Sequence, residues 1–118
     1  MNSSVQYPPL PQVLREALKD YPELIDGLQE VISDLEVRPG MSKARRTDLL
    51  ELAIGSLEDR LDSYLSNTAQ ELREAEATGD VALIEKAREK EMLMVGCRGG
   101  GLRDSYDELI KFFDQGLN

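Results

Sequence analysis

The stretch TDLLELAIGSLEDRLDSYLSNTAQELREAEATGD, residues 47–80, carries the strongest structural signal in this chain. It contains no proline, and its apolar residues recur three and four positions apart, which is the spacing of one face of an α-helix. Gly79 is the residue type that commonly ends helices, and Asp80 is one that commonly begins them. The sequence therefore predicts a helical hairpin, with a long helix over about 47–78 and a returning helix over about 80–97.

The apolar positions of the long helix form one stripe, which consists of Leu50, Ile54, Leu57, Leu61, Tyr64, Leu65, Thr68, Leu72 and Ala75. Only the first half of the helix adds apolar residues outside this stripe, so we expect its early turns to meet several neighbours and its late turns one helix. Two helices alone bury little surface, whereas two paired hairpins form a four-helix core. This predicts an interface with a protein partner or with a second copy in a homodimer, on Leu61, Tyr64, Leu65, Thr68, Leu72 and Ile84.

The remaining segments also favour helix. Residues 1–9 are polar and contain prolines, so they are predicted to be a flexible arm, and residues 10–118 a single helical domain. Short helices are expected after Pro11 and Pro22, because proline suits a first helical turn. A C-terminal helix is expected after the glycines at 99–101. The predicted fold class is all-α, an antiparallel helical bundle built on the long hairpin.

Composition makes several classes of function poor expectations. The 118 residues include 14 basic and 23 acidic side chains, a net charge of −9, which repels nucleic acid and anionic lipid. No apolar run approaches the roughly 18 to 20 residues that cross a bilayer, so no membrane association is expected. One cysteine forms no intrachain disulfide, and MNSSVQYPP lacks a signal-peptide pattern. These features predict a cytoplasmic protein.

The chain contains no histidine, which removes imidazole bases, histidine-ligated metals and Ser-His or Cys-His nucleophile pairs. One arc of the long helix is acidic, and we interpret it as a solvated face rather than a metal site; it consists of Asp48, Glu51, Glu58, Asp59 and Asp62. We therefore predict a protein that is not an enzyme, with no catalytic residue, no cofactor and no metal.

The segment Arg98–Gly101 (RGGG) lacks the strand and the following Lys-Ser/Thr of a phosphate-binding loop. Three glycines within a helix cost about 3 kcal/mol, so Gly99, Gly100 and Gly101 are predicted to form a structural joint, where the helix breaks or bends. An anion contact by Arg98 and Arg103 is the alternative interpretation of this segment. The neighbouring Cys97 is expected to be buried and inert.

The basic cluster at Ser42–Thr47 (SKARRT) follows the turn signal Pro39-Gly40 and is expected to be a loop. The sequence predicts a small acidic helical protein that acts through protein–protein interaction as an adaptor, regulator, immunity-type or chaperone-type protein. Two alternatives remain open. One is a dimeric nucleic-acid-associated regulator that uses the Ser42–Thr47 loop, although nucleic acid is an unlikely partner. The other is anion or ligand binding at the Arg98–Gly101 joint.

Overall fold

The computed structural model describes residues 5–114, and over this range the chain is an all-α bundle, as predicted. It contains five α-helices and one π-helical turn, which we call the π-turn: α1 (Gln12–Ala17), α2 (Pro22–Ile32), α3 (Lys43–Thr78), α4 (Val81–Gly96), the π-turn (Cys97–Gly101) and α5 (Leu102–Asp114). Between residues 5 and 114 the only β-type pairing is an isolated antiparallel bridge of Gln6 with Val37.

The helical hairpin is present, and the turn between its helices has the predicted chemistry. Gly79 adopts the left-handed conformation, with φ 73°, and ends α3. The Asp80 side chain then caps α4 by accepting hydrogen bonds from the backbone N–H groups of Ala82 and Leu83, at 3.0 and 3.3 Å. Gly79 and Asp80 alone reverse the direction of the chain, without a longer loop.

The start of α3 differs from the prediction, because the helix begins at Lys43 rather than at about residue 47. Ser42 is the N-cap, and its Oγ accepts a hydrogen bond from the backbone N–H of Arg45 at 3.1 Å. Most of the predicted Ser42–Thr47 loop is therefore the first turn of α3.

The helix does not break at the three glycines. The flanking residues keep right-handed helical dihedrals, φ −62° and ψ −43° at Gly96 and φ −65° and ψ −44° at Leu102, so the joint is a π-turn inside a continuous helix. One extra residue per turn rotates the following helix face by about 100°. Leu102, Leu109 and Phe113 of α5 are each 1% exposed, so this rotated face is the one that packs into the core.

The molecule measures 59 × 25 × 18 Å and has two unlike ends. At the proximal end, which holds both ends of the described chain, α2 and α5 pack on the first half of α3, and α1 packs on α5 and the π-turn. In the distal hairpin, which we define as residues 69–90 of α3 and α4, the one buried residue is Ala75. The predicted contrast between a several-helix end and a two-helix end is present.

The described part of the predicted flexible arm makes defined contacts. Gln6 and Val37 exchange two backbone hydrogen bonds of 2.9 and 2.8 Å, and the Pro8 carbonyl oxygen accepts one from Gln29 Nε2 at 3.1 Å. Residues 1–4 lie outside the described range, and flexibility of the arm stays a prediction.

The three glycines of the π-turn should respond differently to substitution by alanine. A Cβ on Gly99 or Gly100 would have no neighbouring atom within 4 Å, whereas a Cβ on Gly101 would lie 3.3 Å from the Gly96 carbonyl oxygen. Because alanine favours helix over glycine by about 1 kcal/mol, the double variant Gly99→Ala/Gly100→Ala should gain about 1–2 kcal/mol of unfolding free energy. Gly101→Ala should gain less than either single change. Urea unfolding followed by circular dichroism measures this, and a destabilised double variant would show that the π-turn requires both glycines.

Candidate functional site

The distal hairpin contains a groove of about 500 Å³ between α3 and α4, just beyond the N-terminal end of α2. Small and apolar side chains line it, namely Ala75 from α3, and Leu83 and Ala87 from α4. Tyr21 stands at the end nearest α2. The other lining residues are Glu23, Glu71, Glu74, Thr78, Lys86 and Lys90.

The position of α2 explains where the groove begins. Tyr64 Oη of α3 donates to the Leu24 carbonyl oxygen at 3.0 Å, and Arg60 Nη1 donates to the Gly27 carbonyl oxygen at 3.1 Å. Since residue numbers rise along α2 as they fall along α3, the two helices are antiparallel. Helix α2 begins beside the groove, because proline occupies its first position and Tyr21 before it is not helical.

An ion pair and a cation–π contact stabilise the end of the groove near α2. Lys90 Nζ lies 3.0 Å from Glu71 Oε1 and 5.2 Å from the centre of the Tyr21 ring. Among the described residues, the other three charged groups of the lining, Glu23, Glu74 and Lys86, have no ion-pair partner within 4 Å. The groove therefore combines an apolar floor with charges that can meet a ligand.

The predicted partner interface is corrected at three of its six positions. Leu61, Tyr64 and Thr68 are 0%, 8% and 2% exposed, so this chain buries them itself, and Tyr64 contacts α2 through Leu24. Leu65, Leu72 and Ile84 are half-buried, and the interface prediction is limited to these. Sequence reasoning missed the apolar residues that the distal hairpin and the adjoining turn of α4 do expose, which are Val81, Leu83 and Met92.

Of the two arginines in the predicted anion contact at the joint, one is already paired with carboxylates. Arg98 Nε lies 2.6 Å from Asp62 Oδ1, and Arg98 Nη2 lies 3.2 Å from Glu58 Oε2. The hydrogen bond to Asp62 raises the pKa of Arg98, so the guanidinium is held in its charged form by two carboxylates and is not free for an anion. Arg103 is exposed on the first turn of α5.

The predicted basic loop does not present its charges as a cluster. Arg46 is 1% exposed, and its guanidinium donates to the carbonyl oxygens of Phe113 at 2.8 Å and of Arg38 and Met41 at 3.4 Å each. Arg38 itself lies 2.6 Å from Glu36. Lys43 and Arg45 remain as exposed cations without ion pairs among residues 5–114, which is a small contact surface for a phosphate backbone.

The acidic arc of α3 is partly used for internal pairing, since Glu58 and Asp62 both contact Arg98. Over residues 5–114, no group of three or more cysteine or acidic side chains is placed to hold a metal ion. The helices in that range are also all too short or too polar to cross a bilayer.

Cys97 is buried at the start of the π-turn, and burial raises the pKa of its thiol. The native thiol should therefore react with a disulfide reagent at pH 8 roughly 100-fold more slowly than the same thiol in the urea-unfolded chain, because the thiolate is the reactive species. A spectrophotometric thiol assay with and without urea measures both rates. Equal rates would show that Cys97 is accessible and reactive in the fold.

Searches against protein-family models, curated proteins and solved structures found no match for this chain. The functional interpretation therefore rests on the geometry of the chain itself.

Proposed function

We propose that this chain is a non-enzymatic interaction protein whose distal hairpin binds another protein chain. One observation carries the proposal: the two-helix end and the next turn of α4 leave large apolar side chains in solvent. Val81 is 68% exposed, Leu83 48% and Met92 74%, and the groove opens beside Leu83. Single exposed apolar residues are ordinary on protein surfaces, but apolar residues that share one face of a helix are typical of interaction sites. At 100° per residue, Val81 and Met92 lie on one face of α4, and Leu83 lies on the opposite face, which borders the groove.

The division of the molecule into two ends supports the same proposal. The hydrophobic core lies at the proximal end, where every helix and the π-turn contribute to it, and it includes no residue of the distal hairpin. The distal hairpin extends beyond that core, where a partner can contact both α3 and α4. This arrangement suits an adaptor, a regulator or an immunity-type or chaperone-type protein, each of which works by binding. Homodimer formation and a cytoplasmic location stay predictions.

Site-specific photo-cross-linking tests this proposal in cells that make the protein. A photoreactive residue placed at Met92 should form adducts of defined mass with another protein or with a second copy, whereas the same group at Arg45, exposed at the proximal end, should not. Introducing Val95→Lys should reduce the Met92 adducts roughly tenfold, because Val95 is exposed one turn from Met92 on the same side of α4 and a charge there replaces part of the apolar surface. A protein that sediments as a monomer at all concentrations and gives no adduct from the distal hairpin would contradict the proposal.

A further inference from the structure

We propose that the groove binds a single amphipathic α-helix of a partner protein, in line with α2 and with basic residues facing α3. This inference rests on the proposed function and states which partner chemistry the distal hairpin recognises.

The groove has the position and the length of a helix-binding site. Helix α2 packs antiparallel on α3, with Gly27 beside Arg60 and Leu24 beside Tyr64. The N-terminal end of α2 lies at Tyr21. Beyond Tyr21 the space between α3 and α4 continues and is open. From Glu71 to Thr78 it runs about 10 Å at the helical rise, which is the length of two helical turns. A second helix placed end to end with α2 would extend the same packing.

The lining also fits the apolar face of a helix. Ala75 and Ala87 contribute one methyl group each, so a helix can approach α3 and α4 closely between them. Tyr21 provides a larger apolar surface at the end near α2, and Leu83 provides one from α4. An occupant with apolar residues at positions i, i+3 or i+4, and i+7 would fill about 500 Å³ along two turns, as in other helix-in-groove complexes.

The charges of the groove set the orientation of the occupant. Glu74 lines the groove from α3 and Lys86 from α4, and Glu23 lies at the end of the groove near α2. None of the three has an ion-pair partner among the described residues. A partner helix with Lys or Arg along one flank and Asp or Glu along the other therefore matches the groove in one rotation about its axis. The net charge of −9 adds long-range attraction for a basic partner.

A second copy of this chain fits the groove less well. If two hairpins paired with their proximal ends apart, α3 would lie against α3, and Glu74 of each copy would face carboxylates of the other. If they paired with their proximal ends together, the two α2 helices would collide, because the start of α2 lines the same face as the groove. Repulsion between two copies of net charge −9 opposes either arrangement.

The described ends of the chain are held away from the groove. Gln6 is hydrogen-bonded to Val37, and the carbonyl oxygen of Phe113 to Arg46, both at the proximal end. From Arg46 to Glu71, α3 rises about 38 Å.

A displayed library of short amphipathic helices, with a fixed leucine stripe and random flanks, tests the inference on the full chain. The helices that are enriched should carry Lys or Arg on one flank. They should bind the wild type roughly tenfold or more tightly than Ala87→Phe, in which the ring fills the groove. Ala77→Phe is the matched control, because Ala77 is exposed on α3 two residues from Ala75 and points away from the groove. Thermal melts check that both variants fold.

Charge reversal supplies the second measurement. Selection on Glu74→Lys should favour helices with acidic residues on the flank that is basic in the wild-type selection. The inference is overturned if no helix is enriched, if enriched helices bind Ala87→Phe as well as the wild type, or if flank charge is unchanged by Glu74→Lys. It is also overturned if the wild type forms a dimer that Ala87→Phe abolishes. If Met92 photo-adducts form but no helix is enriched on the wild type, the proposed function stands and the groove is not the contact.

Discussion

Replacing Arg46 with alanine should lower the free energy of unfolding by about 3–4 kcal/mol, because it leaves a cavity and unpaired carbonyl oxygens in the proximal core. The Arg46 guanidinium is buried and has no carboxylate partner among the described residues; its nearest acceptor is the Phe113 carbonyl oxygen. That oxygen lies at the C-terminal end of α5, where the helix dipole favours a cation. Arg46 thus fixes the end of α5 against the start of α3.

Urea unfolding and thermal melts measure this effect, and a loss of this size should lower Tm by roughly 10 °C or more. Arg45→Ala is the matched control, since Arg45 is the exposed neighbour on the same turn and should change stability by less than about 0.5 kcal/mol. Arg46→Lys should give an intermediate loss, because one ammonium cannot reproduce the forked donors of the guanidinium. If Arg46→Ala were as stable as Arg45→Ala, the Phe113 contact would contribute nothing to the fold.

Replacing Gly27 with alanine should cost about 2 kcal/mol, although alanine is the better helix former. A Cβ on Gly27 would collide with the Tyr64 hydroxyl and would lie 3.1 Å from Arg60 Nη1. The Tyr64 ring would have to move, and its hydrogen bond to the Leu24 carbonyl oxygen would be lost. Gly27 therefore permits the close approach of α2 to α3.

The same substitution at Gly55 is the control for Gly27→Ala. Gly55 also lies within a helix, but a Cβ there would have no neighbour within 4 Å, so Gly55→Ala should stabilise the protein by up to about 1 kcal/mol. A double-mutant cycle separates the clash from other effects. In a Tyr64→Phe background the hydroxyl is absent, and the cost of Gly27→Ala should fall by more than about 1 kcal/mol. Additive effects of the two changes would show that Tyr64 is not the obstacle.

The hairpin was predictable because its signals are local. The 3.6-residue period, the left-handed glycine and the capping aspartate each depend on a few neighbouring residues, and they agree with one another. The second half of the apolar stripe has the predicted spacing. The sequence could not show which of its residues this chain buries itself, because Leu61, Tyr64 and Thr68 are buried by segments that are distant in sequence.

Arg46 and the π-turn escaped prediction for different reasons. Arg46 continues the buried positions Leu49, Ala53 and Leu57 at helical spacing, so a signal was present, but its charge suggested a solvent-exposed residue. The three glycines predicted an interruption because glycine weakens helices. Packing of α5 outweighs that weakness. The π-turn keeps the helix continuous and also turns the apolar face of α5 toward the core. The groove requires the relative position of three helices, which one sequence does not give.

The hydrogen bond from Arg46 to Phe113 joins residues 67 positions apart, whereas Glu76 with Arg88 and Glu71 with Lys90 join residues on either side of a single tight turn. Closing a long loop costs more chain entropy than closing a short one, and such contacts form later during folding. We therefore expect folding to start in the distal hairpin and to finish when α5 docks on α3. In a chain emerging from the ribosome, the element proposed to bind a partner would then be formed before the core that supports it.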